Sequence, residues 1–156
     1  FPTRRSSDLY LKPSHIQICR EDCDWEEALR LSCRPLLMED SITQEYVEAI
    51  VEDQRNRGLM MFLADGLVLA HAVIEKGVKQ LDVALCTFKH PVTFLNGKQA
   101  RIIIVLCAED QTKHIRILND VLNIFSKKKS IEQLAALESS EDIQSYIRAH
   151  TQENEG

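Results

Sequence analysis

ADGLVLAHAV, residues 64–73, is the stretch on which the reading of this chain turns. Gly66 precedes an apolar run, Leu67-Val68-Leu69, that closes on a histidine held between two alanines. Such a run predicts a strand or strand end, entered through a turn at Gly66 and left through a turn at Glu75-Lys76-Gly77. Ala70 and Ala72 carry too little side chain to cover His71, so its imidazole is expected to stay accessible. A neutral imidazole nitrogen is a good nucleophile near neutral pH, which suits nucleophilic or phosphoryl-accepting chemistry. Taken alone, a histidine beside a strand is more often a hydrogen-bonded structural residue than a catalyst.

Upstream of this stretch, residues 15–19 alternate as a short strand does. Asp24, with Glu27 three residues on, predicts a capping box and a helix, and Pro35 should kink or end that helix. A second helix carries Tyr46, Val47, Ile50 and Val51 at helical spacing, capped by Ser41 or Thr43 and stopped near Asn56-Arg57-Gly58. Residues 59–64 read as a strand running into the Gly66 turn.

Downstream, 81–88 alternates as a strand that His90-Pro91 ends or bends, and Asn96-Gly97 marks a turn. The unbroken apolar run 102–107 predicts a strand covered on both faces. A helix follows with Ile115, Leu118, Val121, Leu122 and Phe125 as its apolar face, ending at the lysine run 127–129. Two short helices are expected around 131–137 and 141–150, the latter capped by Ser139 or Ser140, and 151–156 as a disordered polar tail. Strands and helices in this order predict an α/β fold: a central mixed sheet flanked by helices, a single-domain sandwich.

Length and composition agree with one domain. The 156 residues suffice to bury a core, and 44% apolar with 28% charged residues is ordinary for a globular protein. A net charge of -5 points away from nucleic acid and anionic membrane surfaces, and no apolar stretch approaches a bilayer span. Five cysteines (Cys19, Cys23, Cys33, Cys86 and Cys107) fit a reducing cytoplasm better than a disulfide framework. Cys19 and Cys23 are close in sequence, but no second Cys/His pair accompanies them at ligand spacing, so no metal site is expected. FPTRRSSDL, residues 1–9, lacks an initiator Met and leads into no core pattern; it reads as a translated sequencing adapter. The domain is therefore expected to run from 10 to 150.

The order of these pieces resembles a known family. DWEEALRL (24–31), ITQEYVEAIV (42–51), GLVLAHA (66–72), PVTF (91–94), the buried strand 102–108, HIRIL (114–118) and the final SIEQL and SSEDIQSYI segments are similar to the fructose–mannitol type Enzyme IIA domain of the bacterial phosphoenolpyruvate:sugar phosphotransferase system. GLVLAHA followed by GV at 77–78 also resembles ascorbate-type and regulator-fused IIA domains. The resemblance implies that His71, in the family's G-[apolar]-A-[apolar]-P-H-[AG] motif, accepts a phosphoryl group. It further implies that His114, opening the long helix, stabilises that group, and that an arginine near the end of the second helix supports the site. An ungapped count puts this arginine at Arg55, with Arg57 close by. On residue type alone His114 could simply cap its helix, and Arg55 could be a solvated cation.

Two departures stand out: Ala70 occupies the family's proline position, and Val68 stands where alanine is common. Without proline the His71 segment is expected to be looser. Two functions follow from the resemblance. In one, the chain is a cytoplasmic phosphocarrier that takes phosphate from the histidine phosphocarrier protein and passes it to a cognate EIIB, with no cofactor. In the other, it is the C-terminal IIA-like domain of a transcriptional regulator or antiterminator, with His71 phosphorylation as a signal. A phosphate-independent binding module is the third reading.

Overall fold

The computed structural model describes residues 11–57, 61–72, 77–108, 111–127 and 129–155. Residues 1–9, the Gly58 stop, the start of the strand at 59–60 and the Glu75-Lys76 turn lie outside the described residues.

Five strands form one sheet: β1 (Ile16–Cys19), β2 (Met61–Ala64), β3 (Gly66–Ala70), β4 (Asp82–Thr93) and β5 (Gln99–Cys107). Their order across the sheet is β1-β4-β5-β3-β2. β1 runs parallel to β4 and β3 parallel to β5, while β4–β5 and β2–β3 are antiparallel, so the sheet is mixed. Alternation along β3 sends Val68 and Ala70 to one face and Leu67 and Leu69 to the other. Helices α1 (Trp25–Met38) and α2 (Gln44–Arg57) cover the first face. Helices α3 (Gln111–Ile124), α4 (Ser130–Ala135) and α5 (Ser140–Glu155) cover the second. The run 102–107 is buried on both sides, as a central strand between two helical layers must be.

The local signals mostly hold. Asp24 accepts the Glu27 N–H at 2.8 Å while the Glu27 carboxylate accepts the Asp24 N–H at 3.2 Å, the expected capping box. Ser139 caps α5 by accepting the Asp142 N–H at 3.1 Å. Gly97, at φ 85°, donates to the Phe94 carbonyl in the turn between β4 and β5.

In five places the structure departs from the expectation or narrows it. Pro35 does not end α1, which runs on to Met38. The Leu31 carbonyl, which loses its helical partner because proline has no N–H, accepts the Gln17 side-chain amide at 2.7 Å instead. Of the two outcomes expected at His90-Pro91, an end to β4 is excluded: the strand reaches Thr93, and its register against β5 shifts between Thr87 and Val92 to pass the proline. On α3 the inward residues are Ile117, Val121 and Ile124, whereas Ile115 and Leu122 are exposed. That helix also stops at Ile124, short of the lysine run. Finally, α5 continues to Glu155, because Gln152, Glu153 and Glu155 are good helix formers despite their polarity.

Candidate functional site

Three observations position His71. It follows directly on β3, whose last residue, Ala70, pairs with Val105 of the parallel neighbour β5. Ala70 and Ala72 both pack on the α1–α2 face, on either side of His71. The residue itself is half-buried. Because β3 and β5 run parallel, their carboxyl ends lie at the same edge of the sheet. The chain leaving β5 at Cys107 begins α3 at Gln111, which brings the first turn of α3, and His114 within it, to that edge. The side chains of His114 and Arg57 lie outside the described residues.

The start of α2 holds the segment around His71 from the other face. Tyr46, 1% exposed, accepts the Ala72 N–H at 3.1 Å through its hydroxyl oxygen and donates to the Leu106 carbonyl at 2.7 Å. Burial pushes the Tyr46 phenol far above its ordinary range, so it remains a neutral donor. Three residues earlier, Thr43 donates its N–H to the Gly77 carbonyl at 2.9 Å. The same few residues of α2 thus grip the chain both before and after 73–76. Gly77, at φ 75°, has no room for a side chain: a Cβ there would overlap the Thr43 hydroxyl and press on the Tyr46 N–H.

Thr43 stands at the N-cap position of α2, yet its hydroxyl has no hydrogen-bond partner among the described residues. Ser41, the other expected cap, instead donates to the Asp82 carboxylate and accepts from the Gln80 amide at 2.8 Å. Together with the Lys79 N–H to Ser41 carbonyl bond at 2.8 Å, these contacts fix the strand returning from the His71 loop. The Ala70–Val105 pairing and the Tyr46 bond to Ala72 hold the backbone on either side of His71. Sequence reasoning placed Tyr46 only on an apolar face; the usable signal was that a buried phenol needs a partner for its hydroxyl.

Arg55 sits differently. Its guanidinium bonds to Glu26 at 2.7 Å and Glu52 at 3.1 Å and lies 5.9 Å from the centroid of the Trp25 ring. It belongs to a seam of ion pairs between α1 and α2 that includes Arg30 with Glu48 at 2.7 Å. Nine residues separate it from Tyr46, about 13 Å along a helix axis. His71 follows the carboxyl end of β3, and α3 begins four residues after the end of the neighbouring β5; Arg55 is bound to carboxylates along the helix seam. Among the described residues no group of His, Cys, Asp or Glu could hold a metal ion, and no helix is long and apolar enough to cross a membrane.

Comparison with known proteins gives this geometry its context. The family model described as "Phosphoenolpyruvate-dependent sugar phosphotransferase system, EIIA 2" matches residues 9–150. The mannitol-specific cryptic phosphotransferase enzyme IIA component of Escherichia coli K12 is 28% identical over 144 residues, covering 92% of this chain and 97% of that protein. The ascorbate-specific PTS system EIIA component of Shigella flexneri is 26% identical over 139 residues, covering 87% of this chain and 90% of the relative. Among solved structures, a putative PTS IIA from Streptococcus mutans superposes with a TM-score of 0.85 at 27% identity, covering 92% of each chain. A match spanning nearly the whole described fold makes this chain a member of the type 2 EIIA family of the phosphoenolpyruvate-dependent sugar phosphotransferase system.

Proposed function

We propose that this chain is a cytoplasmic phosphocarrier in which His71 takes a phosphoryl group from the histidine phosphocarrier protein and passes it to a cognate EIIB. The observation that carries this reading is the position of His71: half-buried just past the carboxyl end of β3, between two alanines packed on the α1–α2 face, with its following residue bolted by Tyr46. The neutral imidazole nitrogen attacks phosphorus, the bond from phosphorus to the donor breaks, and the ring proton leaves. The phosphoramidate formed is reactive enough to be handed on. Such a transfer needs positioning and charge neutralisation more than covalent work by the protein.

Within this reading the first turn of α3 offers its N–H groups and a positive dipole end to the phosphoryl oxygens, and His114 adds a donor there. Arg55 can join only by exchanging Glu26 or Glu52 for the phosphoryl group. An EIIB partner is supported by a solved complex of the mannitol enzyme IIA of Escherichia coli with phosphorylated enzyme IIB, whose IIA fold is similar (TM-score 0.77) at 23% identity.

Incubation with phosphoenolpyruvate, Enzyme I and the histidine phosphocarrier should add one acid-labile, alkali-stable phosphoryl group. His71→Gln should remain folded and take none, while His90→Gln and His150→Gln label as wild type does. His114→Ala should take up phosphate on the order of 100-fold more slowly, the usual effect of losing one positioned donor. Labelling of His71→Gln at the wild-type level, or no labelling of the wild type, overturns the reading.

A further inference from the structure

At the opposite end of the sheet from His71, two thiols stand together. Cys19 ends β1 and Cys23 immediately precedes Asp24, the cap of α1, so the pair flanks the corner where strand becomes helix. Cys19 donates its S–H to the Glu21 carbonyl at 3.4 Å, which folds its sulfur back over the corner. Cys23 lies across the same corner, near enough for Cys19 to act electrostatically on its thiol. Both sulfurs are free and half-buried, and both pack against the core on the α1–α2 side. Arg20, Glu21 and Asp22 between them are exposed, and a disulfide would draw the two sulfurs to about 2 Å. The other three cysteines, Cys33, Cys86 and Cys107, are buried.

We propose that Cys19 and Cys23 form a reversible intramolecular disulfide when the protein meets a low-molecular-weight disulfide. Cys19 acts first: its thiolate attacks the reagent's S–S bond, forms a mixed disulfide and releases one thiol. The Cys23 sulfur then attacks Cys19, closing the protein bridge; the second reagent thiol leaves and takes the Cys23 proton. Two protein thiols are oxidised and one external disulfide is reduced. This order follows from surroundings as well as geometry, since burial, then Cys19, push the Cys23 thiol up to about 12 and leave it a poor first nucleophile. The bridge would clamp the corner beside Trp25 and Glu26, two of the residues against which Arg55 is held.

Oxidised glutathione supplies the test. The native protein is incubated with it, then denatured, alkylated and digested with trypsin, which cuts after Arg20 between the two cysteines. The expected product has lost two hydrogens, keeps three of its five cysteines alkylatable, and joins the peptide ending at Arg20 to peptide 21–30; dithiothreitol reverses it. In Cys23→Ser the glutathione adduct should remain on Cys19, and Cys19→Ser should form no bridge. A wild-type adduct that persists on Cys19, a bridge to Cys86, or five alkylatable thiols after exposure would each overturn the proposal.

Discussion

The hydroxyl of Tyr46 receives the backbone N–H of Ala72 at 3.1 Å, tying the residue after His71 to the start of α2. The same oxygen donates to the Leu106 carbonyl at 2.7 Å, so one buried phenol joins the carboxyl ends of β3 and β5.

Tyr46→Phe keeps the ring in the core but removes both bonds. Leaving buried polar groups unpaired costs about 1–3 kcal/mol, and urea denaturation should show a loss of that size. Under the proposed function, phosphoryl uptake by His71 should slow as well, because the segment loses its restraint. An unchanged urea midpoint together with unchanged uptake would show that the hydroxyl holds nothing.

The Gln17 amide and the Leu31 carbonyl make a second testable pair, at 2.7 Å. Gln17→Leu should destabilise the protein by about 1 kcal/mol, since it strands the carbonyl that Pro35 leaves without a helical partner. In a Pro35→Ala background the same change should cost less, because the alanine N–H can then take up the Leu31 carbonyl. A double-mutant cycle in urea measures the difference; strict additivity would break the link between the two residues.

These two cases show what could be read from the sequence and what could not. The Asp24–Glu27 box, the Asn96-Gly97 turn and the doubly buried run 102–107 depend on neighbouring residues, and each appears as expected. His71 at a strand end was legible for the same reason. Pro35 was misread because its compensation comes from Gln17, on a different element. Tyr46 was seen as apolar filling because Ala72, its partner, lies 26 residues away. On α3, apolar residues at 115, 117, 118, 121, 122 and 124 define two overlapping stripes, and only packing against the sheet and α5 selects the one with Ile117. Arg55 was reachable by counting, but its carboxylate partners on α1 and α2 could not be counted out.

The seam between α1 and α2 should be sensitive to acid. Hydrogen bonds from Arg30, and then from Gln44, hold the Glu48 carboxyl down at about 2, against an ordinary 4.5. As pH falls below about 4.5 the unfolded chain takes up this proton before the folded one does, so the pair's contribution begins to fade there. It is present in full above that pH and gone once pH passes below about 2. Glu48→Gln should therefore make stability fall less steeply across this window in melts recorded at a series of pH values. Some slope should remain, because Lys12 and Arg20 hold Glu39 and Glu138 low in the same direction. Identical slopes for mutant and wild type would remove Glu48 from the acid response.

Each edge of the described sheet is a four-residue strand, β1 on one side and β2 on the other, and β2 slips register between Phe62 and Ala64. An extended peptide seeking to add itself as a further strand finds too short and too irregular a row of backbone groups to zip against. Whatever docks on this domain has to be met by side chains projecting from helices and loops. Its choice of company is therefore written in surface residues, which can diverge among relatives while one backbone is kept.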